Sequence, residues 1–131
     1  MVSGGFDPVH IGHIRMFKEA KLLGDELVVV INCDKWLERK KGRAFMNAKE
    51  RYEILDSIEC IDWVYILSSE KDDVCEAIRL IKPDIFANGG DREGKEDIPE
   101  AKLCEEMGIE MVFNVGGGKI QSSSDLLSKY N

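Results

Sequence analysis

What this 131-residue chain lacks narrows its class before any motif is read. Its apolar runs are five residues at most, far short of the roughly 18 that a membrane-crossing helix requires. No signal-peptide pattern opens it, because Met1 leads almost directly into Gly4-Gly5. The expectation is a cytoplasmic protein with no membrane partner. Basic charge is in deficit: 18 Lys and Arg face 25 Asp and Glu, a formal net charge of −7. A nucleic-acid binder needs a basic stripe to displace counterions from phosphates, so no nucleic-acid partner is expected. Any smaller polyanion must be met by a local concentration of cations and backbone N–H groups.

The four cysteines, Cys33, Cys60, Cys75 and Cys104, form no C-x-x-C pair and have no histidine nearby in sequence. That spacing is neither a zinc site nor a disulfide framework. It reads as four buried thiols in a reducing compartment. Low-complexity tracts, internal repeats and interdomain linkers are absent too, and the length suits one domain over residues 1–131.

What is present is an alternation of two patterns. Leu27–Ile31 is a β-branched run too short for a buried helix, and Trp63–Leu67, Asp84–Ala87 and Met111–Val115 read the same way. Between them, Ile11–Leu23, Ala48–Cys60, Val74–Ile81 and Pro99–Met107 carry apolar residues at helical spacing. Gly24 and Gly108 suit the left-handed residue after a helix, Pro99 a first helical turn, and Pro83 a stop. A last short helix is predicted to start at Ser123 or Ser124. Before Gly4-Gly5 only Met1-Val2-Ser3 remains for a first strand, so either that strand is short or Met1 is an internal residue of a longer natural product. Near-continuous apolar strands alternating with helices require a parallel sheet covered on both faces. The fold expected is therefore α/β: a single-domain, doubly wound, Rossmann-like parallel sheet of about five strands with helices on both faces, binding ligands at the carboxyl ends of its strands.

Only two histidines occur, and both lie in Ser3-Gly4-Gly5-Phe6-Asp7-Pro8-Val9-His10-Ile11-Gly12-His13. Two glycines directly after a strand let the backbone approach a ligand closely. The helix that follows offers unpaired N–H groups and a positive dipole end to phosphate. His10 and His13, three residues apart at that helix start, project to one side. Gly12 between them removes a side chain that would crowd bound phosphates. Histidines at this spacing can also share a metal ion, but no carboxylate or cysteine is placed to supply a third ligand, so no protein-held metal is expected.

Further along, Lys40-Lys41-Gly42-Arg43 reads as a flexible basic loop running into a helix that bears Arg51, where the bland alternative is a solvated charge run. Asn88-Gly89-Gly90-Asp91-Arg92 follows the fourth strand at its carboxyl end; Gly89 permits close backbone approach, Asp91 can accept from a sugar hydroxyl, and Arg92 can hold an acceptor phosphate bidentately. Gly116-Gly117-Gly118-Lys119 is not a Walker A loop, because position 113 is Phe.

Gly5-Phe6-Asp7-Pro8-Val9-His10-Ile11-Gly12-His13 resembles the G-x-F-D-x-x-H-x-G-H signature of the cytidylyltransferase-like nucleotidyltransferase superfamily, and the likeness covers essentially the whole chain. Class I aminoacyl-tRNA synthetases share the His-x-Gly-His element, but this chain has no room for tRNA recognition. The resemblance implies transfer of a nucleoside monophosphate from CTP or ATP to a phosphorylated sugar or polyol, with release of pyrophosphate. It implies catalytic roles for His10, His13, Lys40 and Arg51. It implies nucleotide contacts from Gly4, Gly5, Phe6, Asp7, Lys41, Gly89 and Asp91, and from Ser122, Ser123 and Ser124, since Ile120-Gln121-Ser122-Ser123-Ser124 resembles the family's I-S-T-T element. Asp7 and Arg92 would face the acceptor. Mg²⁺ bound through the triphosphate is implied, and homodimers are common in the superfamily.

The segments around Asp62-Trp63-Val64, Lys41–Asn47 and Lys82–Phe86 are similar to adenylyltransferase domains of ADP-heptose synthesis, whereas Asp91–Lys95 is similar to glycerol-phosphate cytidylyltransferases. The tail departs from the latter, having no arginine before Ile120, which puts a cytosine-reading arginine in doubt. Pro8 leans toward pantetheine-phosphate or nicotinamide-mononucleotide adenylyltransferases, a second reading. A catalytically silent nucleotide-binding module is a third.

Overall fold

Val28-Val29-Val30-Ile31 lies at the heart of the fold because successive side chains of a strand point to opposite faces, and here both faces are apolar. Val29 and Ile31 join one core cluster and Val30 the other. The structure, a computed structural model, describes residues 1–89 and 98–116. In chain order the elements are β1 (Val2–Gly4), α1 (Ile11–Lys21), β2 (Val28–Asn32), α2 (Asp34–Lys41), α3 (Ala48–Asp56), β3 (Trp63–Leu67), α4 (Cys75–Ile81), β4 (Ile85–Gly89), α5 (Pro99–Met107) and β5 (Glu110–Val115).

Every strand pairing among the described residues is parallel: β1 with β2, β2 with β3, and β4 with β5. Met1 joins the two groups, its amine donating to Ile85 O at 2.8 Å and its carbonyl accepting from Ala87 N at 2.9 Å. The strands therefore run β3-β2-β1-β4-β5, and the direction of winding reverses between β1 and β4. In such sheets that reversal opens a crevice at the carboxyl ends of the strands. Phe17 and Ala20 of α1 and Leu55 of α3 pack on one face; Ala77 and Ile78 of α4 and Leu103 and Cys104 of α5 pack on the other. Phe17 is fully buried, and its truncation to Ala would cost about 3–5 kcal/mol.

The doubly wound architecture, with a short first strand, is as expected. Some boundaries are not. α1 ends at Lys21 with Leu22 as a right-handed C-cap, so Gly24 does not terminate it. Gly108 does take the left-handed conformation, at φ 71°, and so does Gly42, at φ 86°, after a helix that the sequence reading missed. That helix is α2: the presumed flexible stretch at Lys40-Lys41 is its last turn, and only residues 42–47 form a loop. α3 starts where Asn47 Oδ1 accepts from Glu50 N at 2.9 Å, but it stops at Asp56 rather than Cys60. Of the four free thiols only Cys75 and Cys104 are buried, while Cys33 and Cys60 are half-buried. No helix among the described residues is long and apolar enough to cross a membrane. Gly90, Asp91 and Arg92, the serine element Ser122, Ser123 and Ser124, and the short helix expected there lie outside the described residues.

Candidate active site

The turn after β1 carries the site, and its geometry is built outward from Gly4. A Cβ on Gly4 would lie 3.0 Å from the Phe6 ring, so the glycine makes room for that ring to fold back under the turn. Phe6 holds a left-handed backbone at φ 51°, a conformation that costs a non-glycine residue on the order of 1–3 kcal/mol. Its ring is buried and meets His13 edge-on at a centroid distance of 4.8 Å and Phe17 at 5.2 Å. The Phe6 ring is thus the wall behind His13. The Asp7–Pro8 peptide bond that follows is cis.

His10 and His13 start α1 by capping it together. His10 is the N-cap, and its Nδ1 accepts from Gly12 N at 3.1 Å. His13, at the third helical position, accepts at Nδ1 from His10 N at 3.2 Å. This is the reciprocal arrangement of a capping box, made with imidazoles in place of a hydroxyl and a carboxylate. The two rings stack, with centroids 3.8 Å apart and planes 23° from parallel. Because each Nδ1 is an acceptor, the ring proton resides on Nε2, and both imidazoles are N–H donors at that atom. Gly12 serves the rings more directly than expected: a Cβ there would lie 2.9 Å from His10 Cε1. The first turn of α1 contains no acidic residue, whereas the other four helices among the described residues each place Asp or Glu in theirs. The positive end of the α1 dipole is therefore not met by a carboxylate of its own first turn.

Two residues expected to meet substrate face the protein instead. Asp7 is buried, and both carboxylate oxygens accept backbone N–H groups, Oδ2 from Phe45 at 2.6 Å and Oδ1 from Met46 at 2.7 Å. Arg51 has no exposed surface. Its Nε donates to Met46 O at 3.0 Å, its Nη1 to Gly5 O at 3.0 Å and Asn32 O at 2.7 Å, and its Nη2 to Asp34 Oδ1 at 2.8 Å. The expected contact of Arg51 with a triphosphate finds no accessible guanidinium, because the fork is spent on three carbonyls and a carboxylate.

The lysines divide. Lys40 pairs with Asp72 at 3.3 Å, beside Arg39, which donates to Asp72 at 2.7 Å and to Glu70 O. Lys41 is exposed and makes no ion pair among the described residues. Gly5 packs on α2, where a Cβ would meet Leu37 at 3.1 Å. Gly89 ends β4 at the crevice, but the close neighbour it admits is Met16 of α1, whose Sδ would lie 2.6 Å from an added Cβ.

Sequence reasoning missed Asp34, the carboxylate partner of Arg51, because α2 itself was missed. The signal was present: Asp34 in a first turn, Leu37 as its apolar contact, three cations in the last turn and Gly42 after them. It also gave no separate role to Asn88. That residue is buried at the carboxyl end of β4, and its Nδ2 has no hydrogen-bond partner among the described residues.

Known proteins resemble this chain in sequence and in fold. Residues 1–106 match the profile of the family described as Cytidylyltransferase-like. The chain is 42% identical over 96 residues to a bifunctional protein HldE of Nitratiruptor, covering 72% of this chain and 20% of that protein. It is 43% identical over 95 residues to an FAD synthase of Thermococcus sibiricus, covering 70% and 63% respectively. It thus spans about a fifth of the length of the bifunctional relative. The crystal structure of a lipopolysaccharide core biosynthesis protein from Thermoplasma volcanium superposes with a TM-score of 0.69 at 32% identity, covering 87% of this chain and 93% of that one. The chain belongs to the cytidylyltransferase-like family.

Proposed function

We propose that this chain is a nucleotidyltransferase that joins a nucleoside monophosphate to a phosphorylated sugar or polyol and releases pyrophosphate. The observation that carries the reading is the imidazole pair. Two stacked rings at a helix N-terminus, beside the crevice between β1 and β4, both accept a main-chain N–H at Nδ1, which puts the ring proton on Nε2. Such a pair suits an anionic phosphoryl group.

An oxygen of the acceptor's phosphate attacks the α-phosphorus of the triphosphate in line with the departing bridge oxygen. The new P–O bond forms as the bond to the β-phosphate breaks, and pyrophosphate carries away the electron pair. A phosphate monoester is already ionised near neutral pH, so no general base is required. The protein supplies position and charge. His10 and His13 donate from Nε2 to the non-bridging α-phosphoryl oxygens, more strongly as charge builds in the transition state. Lys41, with Lys40 beside it, meets the leaving phosphates. Among the described residues no three His, Cys, Asp or Glu side chains converge to hold a metal ion, and both Nδ1 lone pairs are taken. The described residues therefore offer no protein-held metal site, and a divalent cation would come as part of the triphosphate complex.

ATP is favoured as donor over CTP because FAD, named in one relative, contains an adenylyl group joined through a pyrophosphate linkage. A sugar phosphate is favoured as acceptor because the structural neighbour is named for a sugar-rich product. The same FAD synthase likeness supports a second reading, with flavin mononucleotide as the phosphate-bearing acceptor. The test is pyrophosphate release over four triphosphates and a panel of phosphorylated sugars, polyols and flavin mononucleotide. Turnover with ATP and one sugar phosphate is expected, and no release with any triphosphate would end the enzyme reading.

A further inference from the structure

We infer that Asp7 and Arg51 form a two-sided clamp that ties the loop 42–47 to the imidazole turn, acting as positioning residues for the cations beside that loop. The catalytic half of this inference rests on the proposed nucleotidyl transfer; the mechanical half does not.

The loop has little to hold it in place by itself. Residues 42, 43, 45 and 47 are exposed, and none of the six is buried. What holds it is a grip on three adjoining backbone groups: Asp7 takes the N–H groups of Phe45 and Met46, and Arg51 Nε takes the carbonyl of Met46. Both gripping side chains are themselves buried, at 2% and 0% exposure. Burying charged groups is costly unless their hydrogen bonds are satisfied, and here each is satisfied by main chain whose position is thereby fixed. A surface loop that needed only to be covered could be held by an apolar side chain at lower cost.

The far ends of the clamp explain the choice. Asp7 lies in the turn three residues before His10. Arg51 Nη1 bonds Gly5 O, in the same turn, and Asn32 O at the end of β2; Nη2 bonds Asp34 in the first turn of α2. One cation and two carboxylates therefore lock together the turn that carries the imidazoles, the start of the helix that carries Lys40 and Lys41, and the loop after those lysines. The loop cannot move without disturbing the histidine turn. For a reaction that depends on two sets of donors meeting one triphosphate, a misplacement of about 1 Å between them costs on the order of a hundredfold in rate.

Asp7→Asn tests this while keeping size: its amide oxygen can accept from one backbone N–H, but its NH₂ opposes the other. Met46→Pro is the second variant, deleting the N–H held by Asp7 Oδ1 while leaving the carboxylate itself and its bond from Phe45 N in place, in case Asp7→Asn does not fold. Two readouts are taken on the full chain. Trypsin cleavage after Arg43, followed by mass spectrometry, reports release of the loop; we expect at least about a tenfold faster cut in both variants, since cleavage follows local opening. Steady-state kinetics should show kcat falling about a hundredfold with KM for the triphosphate changing far less. An unchanged cleavage rate in folded variants overturns the clamp. Faster cleavage with wild-type kcat overturns the positioning role. If the wild-type chain turns over no triphosphate, the proposed function falls and the positioning role with it, while the trypsin rates still decide the clamp.

Discussion

Replacing His10 by asparagine separates two jobs that one imidazole performs. As the N-cap of α1, His10 accepts the Gly12 N–H through Nδ1 at 3.1 Å. Asparagine ranks with the best N-cap residues, and its Oδ1 can accept the same bond. What it cannot supply is the Nε2–H donor on the far side of the ring. Loss of one preorganised donor to a transition-state oxyanion costs about 2.7–4 kcal/mol, a hundred- to a thousandfold in kcat. His10→Ala loses the donor and the cap together. The stack on His13 at 3.8 Å is lost in both variants, so their difference isolates the cap. That difference should be about 1 kcal/mol, or about 4 °C in melting temperature for a domain of this size.

The assays are thermal melting by circular dichroism and continuous pyrophosphate release. The expected pattern is two variants equally slow but unequally stable, with His10→Asn melting higher. Near-normal turnover in His10→Asn would refute the donor assignment. Equal melting temperatures would refute the capping geometry, and with it the argument that Nδ1 is occupied and Nε2 carries the proton.

Other expectations follow from single contacts. Gly12→Ala should lower kcat at least about tenfold with little loss of stability: the helix-propensity gain of roughly 1 kcal/mol offsets a contact that pushes the His10 ring, whose Cε1 would lie 2.9 Å from the new Cβ. Gly116→Ala should destabilise more than Gly89→Ala, as chemical denaturation would report. Gly116 sits at φ 87° with Met16 Cα 2.9 Å from an added Cβ, whereas the nearest atom at Gly89 is the movable Met16 Sδ. Cys75 should resist iodoacetamide at pH 8 until the chain unfolds, because burial, and then its hydrogen bond to Asp73, raise the thiol's pKa to about 11; mass spectrometry of the labelled peptides reads this. The carboxyl of Asp62 is held below its usual range by Lys21, at 2.5 Å, and by Leu27 N–H. A depressed carboxylate pKa means that its contribution is full above the unfolded value of 3.8 and is lost as pH falls through the folded one. Asp62→Asn should therefore flatten the acid limb of the stability–pH curve and leave its shape at neutral pH unchanged.

The sheet was legible because burial on both faces leaves a strong mark. Val28–Ile31 and Trp63–Leu67 stand out as short β-branched or aromatic runs, and Pro99 and Gly108 bracket α5 as their backbone preferences require. α2 was illegible for the opposite reason. Only Leu37 of its eight residues is buried, so its apolar signal is one side chain deep, and its cations read as a flexible basic loop. Gly24 misled because a glycine after a helical pattern is only permission for a left-handed cap; α1 closes earlier, on Leu22, with backbone bonds to Glu19 and Ala20.

At the site, the sequence disclosed which residues gather but not which way they face. Spacing alone places His10 and His13 on one side of a helix start, and the stack follows from it. Nothing in spacing distinguishes an arginine aimed at a ligand from one aimed at the carbonyls of Gly5, Asn32 and Met46, since those acceptors are backbone groups that every residue possesses. The same holds for Asp7, whose partners are two main-chain N–H groups 38 and 39 residues away. A charged side chain announces its partner in sequence only when the partner is also a side chain of recognisable chemistry. Where the partner is main chain, burial decides the role, and burial is a property of the folded loop. Asp7 and Arg51 are thus positions that the resemblance singled out while leaving their work to be read from the structure.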